Sequence, residues 1–256
     1  MYYYILEQPK NGSIASIQKK IQSLLAFYGI TGEICRVSPA RSIEELTQIA
    51  LAKQYNTIVA VGSDYLINSV AKHLQNTECA LGIIPINASS YIQKLIGLGD
   101  IKDACIALKE RKIKTINLAY ILPDNFFLTK ANIVHDKSTI GTIYFDKCQT
   151  NIRFTNIAIY SPSLVNHDEP KIYLNIENDK EKNNFLNKTF SWLVGKKQIN
   201  NFNTYLRMRH LVIDTPEPMP VILDNKIIAK TPIEIKVRPK VLKIICARVK
   251  INTDKK

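Results

Sequence analysis

Ile58-Val59-Ala60-Val61-Gly62-Ser63-Asp64-Tyr65-Leu66 and, further on, Leu81-Gly82-Ile83-Ile84-Pro85-Ile86-Asn87-Ala88-Ser89-Ser90 are the two stretches that decide the fold. Each opens as a continuous apolar run, too short for a helix and without alternation, which reads as a strand buried on both faces of a parallel sheet. Each run then ends in a turn before a segment of helical period. Working outward, Tyr2 to Leu6 reads as a strand, and Ile14, Ile17, Ile21, Leu24, Leu25 and Tyr28 recur as one helical stripe. Glu33 to Val37 is the next strand. Ser42 is an N-cap with Glu45 at the capping-box position, ahead of Leu46, Ile49 and Ala50. Strands alternating with helices predict an α/β N-terminal domain with an open, mostly parallel sheet, over residues 1–118.

After about Asn117 the pattern changes. Phe126 to Ile133, Thr142 to Phe145, Ile152 to Tyr160, Lys171 to Ile176, Tyr205 to Ile213, Pro220 to Leu223, Ile233 to Val237 and Val241 to Val249 are short segments rich in β-branched and aromatic residues. Asn, Asp, Pro or Lys separates them, and Glu181 to Val194 reads as one helix among them. Residues 119–256 are therefore expected to form a β-rich, sandwich-like domain, the last strand being a candidate to return to the first domain.

Composition bounds the function only loosely. Of 256 residues, 46% are apolar and 22% charged, a globular balance with no apolar run long enough to span a bilayer. Lys and Arg exceed Asp and Glu by 13, with +4 through Leu118 and +9 after it, which favours a polyanionic partner. No RNA-binding or helix-turn-helix signature accompanies that charge, so no specific nucleic acid is expected. Met1 to Leu6 followed by Glu7 lacks the basic region and cleavage site of a signal peptide, so a cytoplasmic location is expected. Cys35, Cys79, Cys105, Cys148 and Cys246 form no close pair and read as reduced, mostly buried thiols. His73, His135, His167 and His210 show no metal-ligand spacing, and the residues by themselves suggest no metal site. Glycine is scarce: nine residues, about half the usual share of roughly 7%.

Ligands of open α/β sheets bind beyond the carboxyl ends of the strands, where helix N-termini offer unpaired amides to anions. Gln8-Pro9-Lys10-Asn11-Gly12, Gly62-Ser63-Asp64-Tyr65-Leu66 and Pro85 to Ser90 sit at such places. In this order they resemble the lipid kinases of the diacylglycerol and sphingosine kinase family, which share a fold with the NAD kinases. Where that family has Asn-Pro-x-x-Gly, Gly-Gly-Asp-Gly-Thr and Gly-Ile-Ile-Pro-x-Gly-Thr-x-Asn, this chain has Gln8-Pro9-x-x-Gly12, Gly62 to Leu66 and Gly82 to Ser90. Asp224-Asn225-Lys226, followed by Thr231-Pro232 and a strand, resembles the family's Asp-Gly-Glu element and its sequel.

The resemblance implies ATP and magnesium as cofactors and transfer of phosphate to a lipid hydroxyl. It carries the catalytic roles onto Asp64, beside the phosphates, and Asp224, the candidate base. It carries nucleotide binding onto Gln8, Gly12, Gly62, Ser63, Asp64, Asn87, Ala88 and Ser90. A lipid or anionic membrane surface is the implied partner, the inner face of the membrane a place of peripheral attachment, and a homodimer is allowed. The departures point the other way. Ser63, Tyr65, Asn87 and Asn225 stand where the family has glycine, whose absent side chain lets backbone amides approach an anion. A tyrosine at position 65 would either fill the phosphate position or push the backbone into another conformation. Read structurally, Asp64 is a cap of the following helix and Asp224-Asn225 a hairpin turn. Two functions stay open: a lipid kinase with an altered loop, and a noncatalytic pseudokinase acting as a lipid- or partner-binding module.

Overall fold

A computed structural model describes residues 1–9, 11–97, 100–165, 169–177 and 203–247. Of these, 1–118, 169–170 and 238–247 fall in one unit, and 119–165, 171–177 and 203–237 in a second. The helix expected over Glu181 to Val194, and the basic cluster Gly195-Lys196-Lys197 that follows it, lie outside the described residues.

The first unit alternates strands β1 (Tyr2–Leu6), β2 (Gly32–Arg36), β3 (Thr57–Gly62) and β4 (Ala80–Pro85) with helices α1 (Gly12–Phe27), α2 (Ile43–Ala52), α3 (Asp64–Leu74), α4 (Ser90–Ile96) and α5 (Ile101–Glu110). All strand pairs are parallel in the order β4-β3-β1-β2, with Val59 opposite both Tyr4 and Gly82, and Tyr4 opposite Ile34. Every residue of β3 and β4 is buried, as continuous apolar runs require when helices cover both faces of a sheet. Side chains close the helix starts where local sequence supplies them. Asn11 accepts from the Ile14 amide, Ser42 from the Glu45 amide and Asp100 from the Asp103 amide, at 2.7–3.1 Å. The helices α3 and α4 are the exceptions: their cap residues Ser63 and Ser89 make no such bond to their own helices.

The second unit holds β6 (Asn125–Phe127), β7 (Lys130–Phe145), β8 (Cys148–Tyr160), α6 (Pro162–Val165), β9 (Ile172–Glu177), β10 (Asn203–Met208), β11 (His210–Asp214), β12 (Pro220–Leu223) and β13 (Lys226–Lys230). The strands β5 (Ile113–Ile121) and β14 (Ile233–Ile245) contribute residues to both units. In the second unit the antiparallel order is β10-β9-β8-β7-β11-β14. The long strand β7 pairs β12 through Ile133 and Val221 near its start, and β11 through Ile143 and Ile213 near its end. Its register against β8 slips between Val134 and Thr139. Phe127, Phe154, Ile157, Leu174, Leu211 and Ile235 lie in the fully buried core that these strands enclose. In the first unit, Ile244 of β14 lies parallel beside Leu81 of β4.

The strands differ from the sequence expectation in several places: Phe126 to Ile133 divides between β6 and β7, Tyr205 to Ile213 between β10 and β11, β5 and β13 have no counterpart among the expected segments, and two polar interruptions lie inside strands. Asp136-Lys137-Ser138 reads as a separator, yet β7 runs through it, because these residues occupy exposed positions that need no apolar side chain. Arg238-Pro239-Lys240 likewise lies within β14, where the Lys240 amide donates to Asn117 Oδ1 at 3.0 Å and Lys240 adopts φ +52°. The glycine shortage is met in the same way. Among the described residues, five of the eight non-glycine positions with positive φ are Asn or Asp, the side chains that tolerate the left-handed region best.

Cys79, Cys105 and Cys246 are buried, and burial pushes each thiol up to about 11. Cys35 is half-buried and Cys148 exposed. Among the described residues, no helix is long and apolar enough to cross a membrane.

Candidate functional site

The loops after β1, β3 and β4 leave the carboxyl ends of three adjacent parallel strands, so the sheet register places them side by side. Backbone bonds carry that order past the strand ends. The Glu7 amide donates to Val61 O at 3.1 Å, and the Ile86 amide donates to Gly62 O at 3.0 Å. Gln18, buried in α1, donates from Nε2 to Glu7 O at 2.7 Å, and its Oε1 accepts from Arg36 Nη2 at 3.1 Å. Residue 7 is thus clamped between β3 and α1 before its side chain is considered.

The Glu7 carboxylate lies at the start of α3. Its Oε2 accepts from the Ser63 backbone N–H at 2.7 Å, and its Oε1 accepts from the Ser63 hydroxyl at 3.0 Å. A Cβ on Gly62 would lie 2.7 Å from Glu7 Oε2 and 2.8 Å from Glu7 Cβ, so the absent side chain is what admits the carboxylate. One strand over, Asp64 Oδ1 accepts from the Ser89 backbone N–H at 2.7 Å, just ahead of α4. Two helix N-termini that could each face an anion therefore face carboxylates of this chain. A cavity of about 100 Å³ lies beside them, bordered by Glu7, Gln8, Gln18, Gly62, Ser63 and Asn87 among others.

Of the residues expected to bind a nucleotide, Gln8, Gly62, Ser63 and Asn87 come together at this cavity. Asn87 takes φ +52°, the left-handed conformation a glycine would otherwise supply. Ala88 is half-buried in the same loop, and Ser90 is the exposed first residue of α4. Gly12 opens α1 without positive φ, and an added Cβ would meet nothing within 4 Å, so no steric demand for glycine exists there. Tyr65 does not fill the loop. The backbone is already helical from Asp64, Ser63 is extended with φ −76° and ψ 172°, and Tyr65 is 47% exposed. Leu66, where the family has a hydroxyl, is wholly buried, with Cδ2 beside Gly62.

Asp224 belongs to the second unit, in the turn joining β12 to β13. Asp224 and Asn225 have φ of +50° and +62° between the paired residues Leu223 and Lys226, a two-residue hairpin of the primed kind. Because Asn tolerates this conformation nearly as well as glycine, Asn225→Gly is expected to change stability by no more than about 0.5 kcal/mol. That corresponds to a thermal midpoint within about 2 °C of the parent, read from melting curves.

Sequence reasoning missed Glu7 and Gln18. Both had a signal: Glu7 is an acid placed immediately after a buried strand at a loop expected to receive anions, and Gln18 interrupts the apolar stripe of α1 four residues after Ile14. Among the described residues, no cluster of three or more His, Cys, Asp or Glu could hold a metal ion.

Residues 4–121 match the model of the diacylglycerol kinase catalytic domain. No curated protein sequence matches the chain significantly. A crystal structure of a diacylglycerol kinase from Bacillus anthracis str. Sterne superposes with a TM-score of 0.74 at 15% identity, covering 96% of this chain and 97% of the other. A second structure from that organism, also assigned as a diacylglycerol kinase, gives 0.75 at 15% identity with the same coverage. At such identity the superpositions speak for the fold, which extends over almost the whole chain. Residues 4–121, a little under half of the chain, are thus similar to the diacylglycerol kinase catalytic domain, and almost the whole chain shares the fold of the two Bacillus anthracis proteins.

Proposed function

We propose that this chain is a noncatalytic member of its family, a pseudokinase that keeps the lipid-kinase scaffold as a lipid- or partner-binding module at an anionic membrane surface. The observation that carries the reading is the Glu7 carboxylate on the Ser63 amide and hydroxyl. A nucleotide's phosphates would need donors at that helix start, and there they meet a second anion at contact distance instead. Asp64 Oδ1 likewise accepts from the Ser89 amide, so one oxygen of this carboxylate is spent on the chain's own backbone. The residues present do not fit Mg-ATP, so no transfer step is assigned to Asp64 or Asp224. The excess of 13 positive charges supports an anionic surface as partner, through attraction that salt screens.

Calorimetric titration of the purified protein with Mg-ATP, together with a phosphorylation assay over a panel of lipids in mixed micelles, tests the reading. No saturable heat and no phosphorylated lipid are expected. Sedimentation with anionic vesicles, independent of nucleotide and reversed by salt, is expected as well. Saturable Mg-ATP binding, or lipid phosphorylation that Asp224→Ala abolishes, overturns the proposal in favour of an active lipid kinase.

A further inference from the structure

We propose that Glu7 is a built-in surrogate for a phosphate, an autoinhibitory contact in which the chain's own carboxylate fills an anion position and holds it closed to external oxyanions. The inference deepens the noncatalytic reading and rests on it. Two carboxylate oxygens grip one amide and one hydroxyl of Ser63, at 2.7 and 3.0 Å, the fork that two oxygens of a phosphate would make there. Among the described residues, no Lys or Arg is paired with Glu7, so its charge is answered by the start of α3, which carries the positive end of the helix dipole.

The contact is supported on each side. The Glu7 backbone is tied to Val61 O through its N–H and to Gln18 Nε2 through its carbonyl, and Gln18 is held in turn by Arg36. On the facing side, Gly62 provides the clearance: any Cβ there would collide with both the carboxylate and Glu7 Cβ. The adjoining cavity of about 100 Å³ means that removing the carboxylate leaves room for an ion rather than a collapsed void. The donors are preserved and spent internally, which differs from a loop whose donors are lost.

The test compares the wild type, Glu7→Ala and Glu7→Ser by thermal melting in inorganic phosphate and in chloride of equal ionic strength. The wild type is expected to show only the small, non-saturating rise that phosphate gives any folded protein by exclusion from its surface. The variants are expected to melt lower in chloride and to recover in phosphate saturably, by about 3 to 5 °C at ten times the apparent dissociation constant. Glu7→Ser, whose short hydroxyl clears the cavity, carries the test should the alanine variant fail to fold. Variants that respond to phosphate no more than the wild type overturn the proposal, and so does a wild type that responds as strongly as they do. Failure of the noncatalytic reading has a separate signature, Mg-ATP binding by the wild type, which does not depend on the difference between variant and parent in phosphate.

Discussion

Leu66→Thr, which returns this position to the family residue, is expected to cost about 2 to 4 kcal/mol rather than to help. Leu66 is wholly buried in α3, and its Cδ2 packs beside Gly62. Threonine removes most of the branched apolar group and leaves a cavity, while placing a hydroxyl in the core. Residue 66 stands in the first turn of α3, so the carbonyl four residues back, Gly62 O, lies in β3 rather than in the helix and already accepts from the Ile86 amide; the buried hydroxyl adds to the cavity cost. For a chain of this length the loss corresponds to a fall of roughly 5 to 12 °C in the thermal midpoint. A midpoint within 2 °C of the parent would contradict the packing described for this loop. The outcome bears on function, because it makes the altered loop a committed part of the core. Tyr65→Gly would add a further loss of about 1 kcal/mol, the usual cost of glycine inside a helix. Asn225→Gly is nearly neutral by contrast, so the family residues differ in how easily each can be restored.

Phe154→Ala is expected to be the most damaging single substitution considered, at about 3 to 5 kcal/mol. The Phe154 ring is fully buried in the core of the second unit, and one residue of β7 is shaped around it. A Cβ on Gly141 would come within 3.0 Å of Phe154 Cε1 and of Asp214 O, so glycine there is a consequence of the ring as well as of the neighbouring strand. The two positions should therefore couple. Gly141→Ala alone is expected to destabilise by overpacking, about 1 to 3 kcal/mol, and to cost less in the Phe154→Ala background, where the ring is gone. A double-mutant cycle in denaturant measures that difference directly. Strict additivity would refute the steric account of Gly141, while a loss below 1 kcal/mol for Phe154→Ala would refute its place in the core.

The two halves of the chain were unequally legible. The strands β3 and β4 are readable because an uninterrupted apolar run bounded by turns has few other structures open to it, and the cap Ser42 because a short polar side chain before a helical stripe satisfies its own neighbours. The β-rich half was readable as a class but not in its strand count. Whether Asp136-Lys137-Ser138 ends a strand depends on whether those positions face solvent, and a sequence does not state which way a long hairpin faces.

The sequence by itself determined the alternation that makes the first unit an open parallel sheet, the antiparallel character of the remainder, and the positions where glycine is missing from the loops. Those follow from local periodicity and from the conformational freedom of single residues. Only the tertiary structure decided what the loops hold. Glu7 and Ser63 are 56 residues apart in the chain, and they meet because β1 and β3 are adjacent and in register. Their contact survives because Gly62 leaves just enough space for one carboxylate. Tyr65, the most conspicuous departure in the sequence, turned out to be half-exposed in the first turn of α3, while an unremarked glutamate just after the first strand holds the anion position. Residue type limits which group can take that position, but strand order and packing choose the group that does.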